Sequence, residues 1–355
     1  MRKSLLVMVL LLGLISGAAQ AQTTPYCGSL AKTDCDTLAA SGEAMGALRS
    51  AGVKLNMDMS LNNMGMPLKF TLSGDGAFAI DASALAPLLD STDLTKNLSQ
   101  YPELMQKALQ AVSFDADMLL RLPDALSRAG NLPSKAGFSF RLVDGFLYFN
   151  LDKLAELDTR GSLPKGWYGF DFATYYRTVM AQSIGPLNDV TGDLPTRDPA
   201  FLSTYLKLER LSDMTLDGQT VQVYRSSYDL GALFANPDYQ KLLRKQFEGS
   251  AALSRSHMTP DQAIKLYQDL FRTFKMNTTQ YISPDDHYVR RFDLNVTWNL
   301  DMKALGSGGF GASTLDLNID MQVNLKDFNA AKPIVKPERA TIVPLNTLIP
   351  TAPKT

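Results

Sequence analysis

An α+β fold, with helices gathered on one face of a large twisted antiparallel sheet, is what this sequence predicts. Two observations carry the prediction. The first is strict two-residue alternation over long stretches. Between Tyr288 and Met302, the residues Tyr288, Arg290, Phe292, Leu294, Val296, Trp298, Leu300 and Met302 share one side. Val289, Arg291, Asp293, Asn295, Thr297, Asn299 and Asp301 share the other. Leu315 to Leu325 and Val53 to Asn62 repeat the pattern. Successive strand side chains face opposite sides of a sheet, so each strand has one apolar and one polar face. Fifteen extended residues span roughly 50 Å at about 3.3 Å each, far beyond a usual strand. Such a sheet must curl, and its apolar face must be covered. The second observation is that helical patterns are inserted between antiparallel hairpins.

The elements follow in order. Arg2 and Lys3, an apolar run from Leu5 to Ile15 and the small-x-small site Ala19-Gln20-Ala21 read as a secretory signal peptide cleaved after Ala21. The apolar run is too short to span a bilayer. Residues 34–49 read as a helix capped by Asp34 or Asp36. The strand from Val53 turns at Asn62–Pro67 into Leu68, Phe70 and Leu72, and Gly74-Asp75-Gly76 is expected to bend or bulge that second strand. A helix is expected over Tyr101–Val112, a strand over Phe114–Leu122 and a short helix or loop over Leu122–Leu132. A tight hairpin follows around Asp144-Gly145. Asp171–Ile184 reads as a helix, and Pro186–Pro199 as a connector. Strands over Tyr205–Leu211 and Thr220–Tyr228 flank Asp217-Gly218. Helices over Asn236–Phe247 and Pro260–Phe274 precede a strand over Met276–Ile282. Gly306–Gly311 is a turn before the last strand. The chain thus divides into residues 1–21, a single domain over 22–329 whose halves, about 36–185 and 200–329, each run from strands to helices to strands without enough sequence similarity to claim duplication, and a Pro-rich tail over 330–355.

Charge and composition exclude several classes. Lys and Arg total 35 against 36 Asp and Glu, with no basic stripe, so nucleic acid is not the partner. The two cysteines, Cys27 and Cys35, stand without C-x-x-C spacing and without a neighbouring His or third Cys. In an exported chain they are expected to form a disulfide. His257 and His287 are the two histidines, and neither belongs to a catalytic motif. No G-x-S-x-G elbow, P-loop, H-E-x-x-H or EF-hand spacing occurs, so no catalytic, metal or cofactor residues are assigned. Asp293, Asn295, Asp301, Asp316, Asn318 and Asp320 read as the solvated convex face of the sheet.

Several segments together carry a family resemblance: the hairpin Asp144-Gly145-Phe146-Leu147-Tyr148, the run Gly166-Trp167-Tyr168-Gly169-Phe170, the second echo Leu216-Asp217-Gly218 to Tyr224, and Asp327-Phe328-Asn329 before a Pro-rich end. With the leader and the long alternating strands, the chain resembles the bacterial lipoprotein-carrier superfamily, of LolA-like and LppX/LprG type. The resemblance implies an unclosed half-barrel with helices on its concave face, holding lipid or acyl chains between sheet and helices. The lipobox cysteine of tethered members is absent at the cleavage site.

The expected function is therefore that of an exported periplasmic or extracellular binding protein for a lipid or other hydrophobic molecule, not an enzyme and not integral to the membrane. The alternative is an envelope interaction or sensing protein that uses the fold without a ligand and binds an envelope protein. Helices of 12–15 residues reach only roughly 20 Å and cannot tile the whole apolar face of such strands. The gap is expected to be an apolar cavity lined by Phe70, Met118, Phe140, Tyr148, Trp167 and Trp298. Met57, Met59, Met302 and Met321 also lie on the alternating strands and would adapt to varied apolar partners.

Overall fold

A computed structural model describes residues 26–63, 66–84, 101–130, 133–150, 152–155, 165–184, 199–248, 258–301 and 314–344. The leader, the Pro186–Pro199 connector apart from its last residue, His257, Met302, the Gly306–Gly311 turn and residues 345–355 lie outside them. The elements are α1 (Lys32–Gly46), β1 (Ser50–Asn63), β2 (Met66–Ile80), α2 (Tyr101–Ala111), β3 (Val112–Arg121), α3 (Asp124–Gly130), β4 (Lys135–Val143), β5 (Phe146–Asn150), α4 (Asp152–Ala155), β6 (Trp167–Asp171) and α5 (Phe172–Ile184). They continue with α6 (Pro199–Leu202), β7 (Leu206–Leu216), β8 (Gln219–Asp229), α7 (Leu230–Ala235), α8 (Pro237–Phe247), α9 (Pro260–Phe271), β9 (Lys275–Ile282), β10 (Val289–Asp301), β11 (Thr314–Lys326) and β12 (Thr341–Ile342).

The strands among the described residues form one sheet in the order β12-β6-β5-β4-β3-β2-β1-β11-β10-β9-β8-β7. Every neighbouring pair is antiparallel except β12 with β6. The sheet does not close, and the fold is an α+β unclosed half-barrel. The strands of the first half lie on one side and those of the second on the other. They meet where β1 pairs with β11 over Gly52 to Asn63, with Met57 opposite Met321.

Local chemistry explains the helix starts. Thr259 and Gln262 form a reciprocal capping box at α9, with Pro260 in the first turn. The Asn236 side chain accepts from the amides of Asp238 and Tyr239 at α8. Asp229 accepts from Ala232 N at α7, so the sequence from Asn236 opens a second helix after a short first one. At α1 the expected acidic cap is not used. The N-cap is Ala31, without a side-chain bond. Asp34 instead pairs with Arg210 at 3.2 Å and accepts from the Tyr224 hydroxyl at 3.0 Å, while Asp36 pairs with Lys32. The Cys27–Cys35 disulfide ties the preceding turn to this helix, as the isolation of the two cysteines predicts.

Two expectations about the strands are corrected. Gly74 and Gly76 do not bulge β2, for the pairing with β1 and β3 runs through them without a shift. They are glycines because a Cβ at Gly76 would strike the Asp115 carbonyl oxygen and come within 3.0 Å of Ala116. A Cβ at Gly74 would meet the Met118 sulfur and come within 2.7 Å of the Asp117 carbonyl oxygen. Register shifts lie instead in β7, between Leu211 and Met214 against β8, and at the start of β10, between Val289 and Arg291 against β9. Val289 is thereby buried with Tyr224 and Ile282 rather than turned out with Arg291.

Candidate functional site

The two faces of the sheet differ in chemistry. On the helix side, α2 and α5 cover one flank: Leu109, Phe172 and Ala173 pack on Leu142 and Leu147. On the other flank α7, α8 and α9 share an aromatic cluster of Phe234, Leu243, Ile264 and their neighbours. It reaches the sheet through Phe271, which stacks on Trp298 at 5.4 Å. Near one end of the strands, α1 lays Leu38 and Met45 over Tyr224, Ile282 and Val289.

Between these groups lies a continuous apolar strip. Register brings Met57 opposite both Met321 and Leu72, Leu72 opposite Leu120, and Met118 opposite Phe138. Leu72, Met118, Leu294 and Met321 are buried. Leu55, Met57, Met59, Phe70, Leu120, Phe138 and Ile319 are only half-buried. Phe138, Phe140 and Phe114 line up with ring centroids 6.5 and 5.3 Å apart.

Of the six residues expected to line a cavity, Phe70, Met118, Phe140 and Trp298 share this face. Tyr148 and Trp167 fall on the opposite one. Pairing sets Phe149 against both Phe140 and Tyr168, so the intervening Tyr148 must point the other way, over Gly169. Trp167 lies on that side too, beneath the Arg141 guanidinium at 5.0 Å. The tail runs along this side of the sheet. After β11, Ala331 N donates to Ser50 Oγ, Arg141 donates to Val335 O, and β12 adds to β6 at the sheet edge. Met59 is singled out by the sequence only as a strand methionine, and Phe138 and Ile319 are not among the residues expected to line the cavity. Their alternation is visible in the sequence, but their partial exposure is not, because it depends on what packs over the sheet.

The polar face is not the plain convex surface that the Asp/Asn pattern suggests. It carries a groove of about 670 Å³ lined by side chains from β1 and β7 through β11. At its base Asp293 binds Arg291 through two bonds of 2.7 Å and accepts from Tyr281 at 2.8 Å. The Arg291 guanidinium lies over the Tyr281 ring at 4.9 Å. Burial, and then the bond to Asp293, push the Tyr281 phenol above its ordinary pKa. Asn295 donates to Asp320 at 2.6 Å, and Thr71 to Asp58 at 2.8 Å. The groove is hydrogen-bonded and charged, so it offers nothing to an acyl chain. Among the described residues, no group of acidic, His or Cys side chains is arranged to hold a metal. No helix among them is long and apolar enough to cross a membrane.

No protein-family profile matches the chain, and no curated protein does. Solved structures do. The Mycobacterium tuberculosis lipoprotein LppX is similar at 10% identity and a TM-score of 0.33, covering 84% of this chain and 97% of that one. LprF from Mycobacterium bovis is similar at 10% identity and a TM-score of 0.30, covering 90% and 96%. A domain of the outer membrane lipoprotein-sorting type from Vibrio parahaemolyticus is similar at 8% identity and a TM-score of 0.16, covering 79% and 87%. Their TM-scores are low, and the class of this molecule is set by its own sheet: a half-barrel with an apolar face under helices and a grooved polar face behind.

Proposed function

We propose that this is an exported, non-enzymatic binding protein that holds a lipid or other hydrophobic molecule against the helix side of its sheet. One observation carries the reading. Met57, Met59, Phe70, Phe138 and Ile319 form a half-buried apolar strip in the middle of the sheet, between the flanking helix groups. Contiguous apolar surface of this kind marks a ligand or partner site. Methionines suit it, because a flexible, polarizable side chain packs against varied acyl shapes. The Cys27–Cys35 disulfide and the basic-then-apolar leader support an oxidising, extracytoplasmic setting.

The test is direct. The protein purified from cells is extracted into organic solvent and the extract weighed by mass spectrometry, and the emptied protein is titrated with a fluorescent fatty-acid probe. An amphiphile near one per chain, and probe binding weakened at least about tenfold by Phe138→Asp, are expected. Thermal unfolding of the same variant separates lost binding from lost folding, and the milder Met59→Gln repeats the test if Phe138→Asp unfolds. A wild-type protein with no bound amphiphile and no probe uptake overturns the reading and leaves the envelope-interaction alternative.

A further inference from the structure

The two ends of the sheet are treated differently. One ends in β12, two residues long, with Pro337 and Pro344 on either side of it. Short strands and prolines blunt an edge against further pairing. The other ends in β7, eleven residues long. Among the described residues nothing pairs with its outer side. A hollow of about 620 Å³ runs beside it, between Leu206–Glu209 and the segment holding Tyr26, Gly28 and Ser29. That segment is held in place by the disulfide, and the α1 that follows is clamped to β7 by Asp34 on Arg210.

We infer that this edge pairs with the same edge of a second copy, β7 against β7, antiparallel about Leu208. The hydrogen-bond phase supports this. Asp229 N donates to Tyr205 O, so Tyr205 and Asp229 form a hydrogen-bonded pair. The register then runs unbroken to Leu211, which makes Lys207 and Glu209 inward-bonded and leaves the amides and carbonyls of Leu206, Leu208 and Arg210 facing outward. A two-fold axis through Leu208 pairs those outward groups reciprocally, about six hydrogen bonds in all. The same axis sets Lys207 directly opposite the partner's Glu209, twice. That is a non-hydrogen-bonded position, where side chains approach closest. Both side chains are exposed, and neither has an ion-pair partner among the described residues. Other registers lose this match. A lysine in mid-edge commonly guards against pairing, but here the copy supplies its counter-charge. The shift in register after Leu211 ends the pairing at a defined length. The strand contact is short, so the dimer is a weak one, below the usual area of stable interfaces.

Sedimentation equilibrium of the full mature chain over a concentration series reads the association. A reversible dimer is expected. Lys207→Glu and Glu209→Lys should each weaken it about tenfold, since each turns two cross-strand attractions into repulsions. The double variant should recover wild-type association. A mixture of Lys207→Cys and Glu209→Cys proteins should cross-link on oxidation while neither alone does, because the opposed Cα atoms sit about 4.5 Å apart, within disulfide span. A monomer at every concentration overturns the proposal. So does a dimer whose association ignores both charge reversals.

Discussion

Single residues set how closely the central strands can lie. Gly76 faces Ala116 across β2 and β3, and its missing Cβ is replaced by backbone atoms of the neighbouring strand. Gly76→Ala should therefore cost about 1–3 kcal/mol, the usual penalty of overpacking without room to relax. Gly52→Ala is the control. Its Cβ would meet the Asp327 carboxylate and Lys326 Cγ at 3.2 Å, side-chain atoms that need yield by only a few tenths of an ångström. Urea unfolding of both variants checks the ordering. Equal stabilities would show that the strand approach at Gly76 is not tight. The sequence displays both glycines and suggests a bulge. It cannot show that the reason is a carbonyl from another strand, because that contact is between residues about 40 apart in the chain.

At the scale of elements, helices and strands hold each other through specific polar contacts as well as area. Trp298 Nε1 donates at 2.7 Å to Leu270 O in the last turn of α9. Terminal carbonyls of a helix lack an intrahelical partner, so this bond caps the helix from the sheet. Trp298→Phe should keep the stacking on Phe271 but lose the bond, costing about 1 kcal/mol. Hydrogen exchange should quicken at the end of α9 and not in α8; unchanged exchange there would show that the bond is not a cap. The placement of Trp298 on the helix side was legible from alternation alone. That of Val289 was not. One extra residue at the β10 bulge reverses the parity of everything before it, and nothing in Tyr288–Arg291 marks the shift.

Across the whole molecule, buried phenols govern the alkaline limit of stability. Burial raises the pKa of Tyr148, Tyr205, Tyr224, Tyr228, Tyr239 and Tyr281. Each folded value lies above the unfolded one near 10, so the folded chain keeps protons that the unfolded chain releases. This stability is fully present below about pH 10 and is lost as pH rises through the folded values. Unfolding free energy should be flat toward pH 10 and then fall, with the native phenolate absorbance lagging that of the urea-unfolded chain. Coincident native and unfolded titrations would contradict the assignment.

The sequence by itself determined the long strands, their hairpins, the apolar and polar sides of β1, β11 and the body of β10, and the disulfide. These depend on local periodicity, on turn residues such as Asp144-Gly145, and on two cysteines with nothing else to bind. The tertiary structure decided the rest. It joined the halves through β1 and β11, whose pairing crosses some 260 residues and leaves no mark in either strand. It turned Tyr148 and Trp167 away from Phe70, Met118, Phe140 and Trp298, since the side of each is set by the pairing of β4, β5 and β6, and an aromatic residue alone does not say which face it joins. It hollowed the polar face into a groove, which depends on the curl of many strands together. And it set how far each residue of the apolar strip is buried, because burial depends on what packs over the sheet and not on the strand residues themselves.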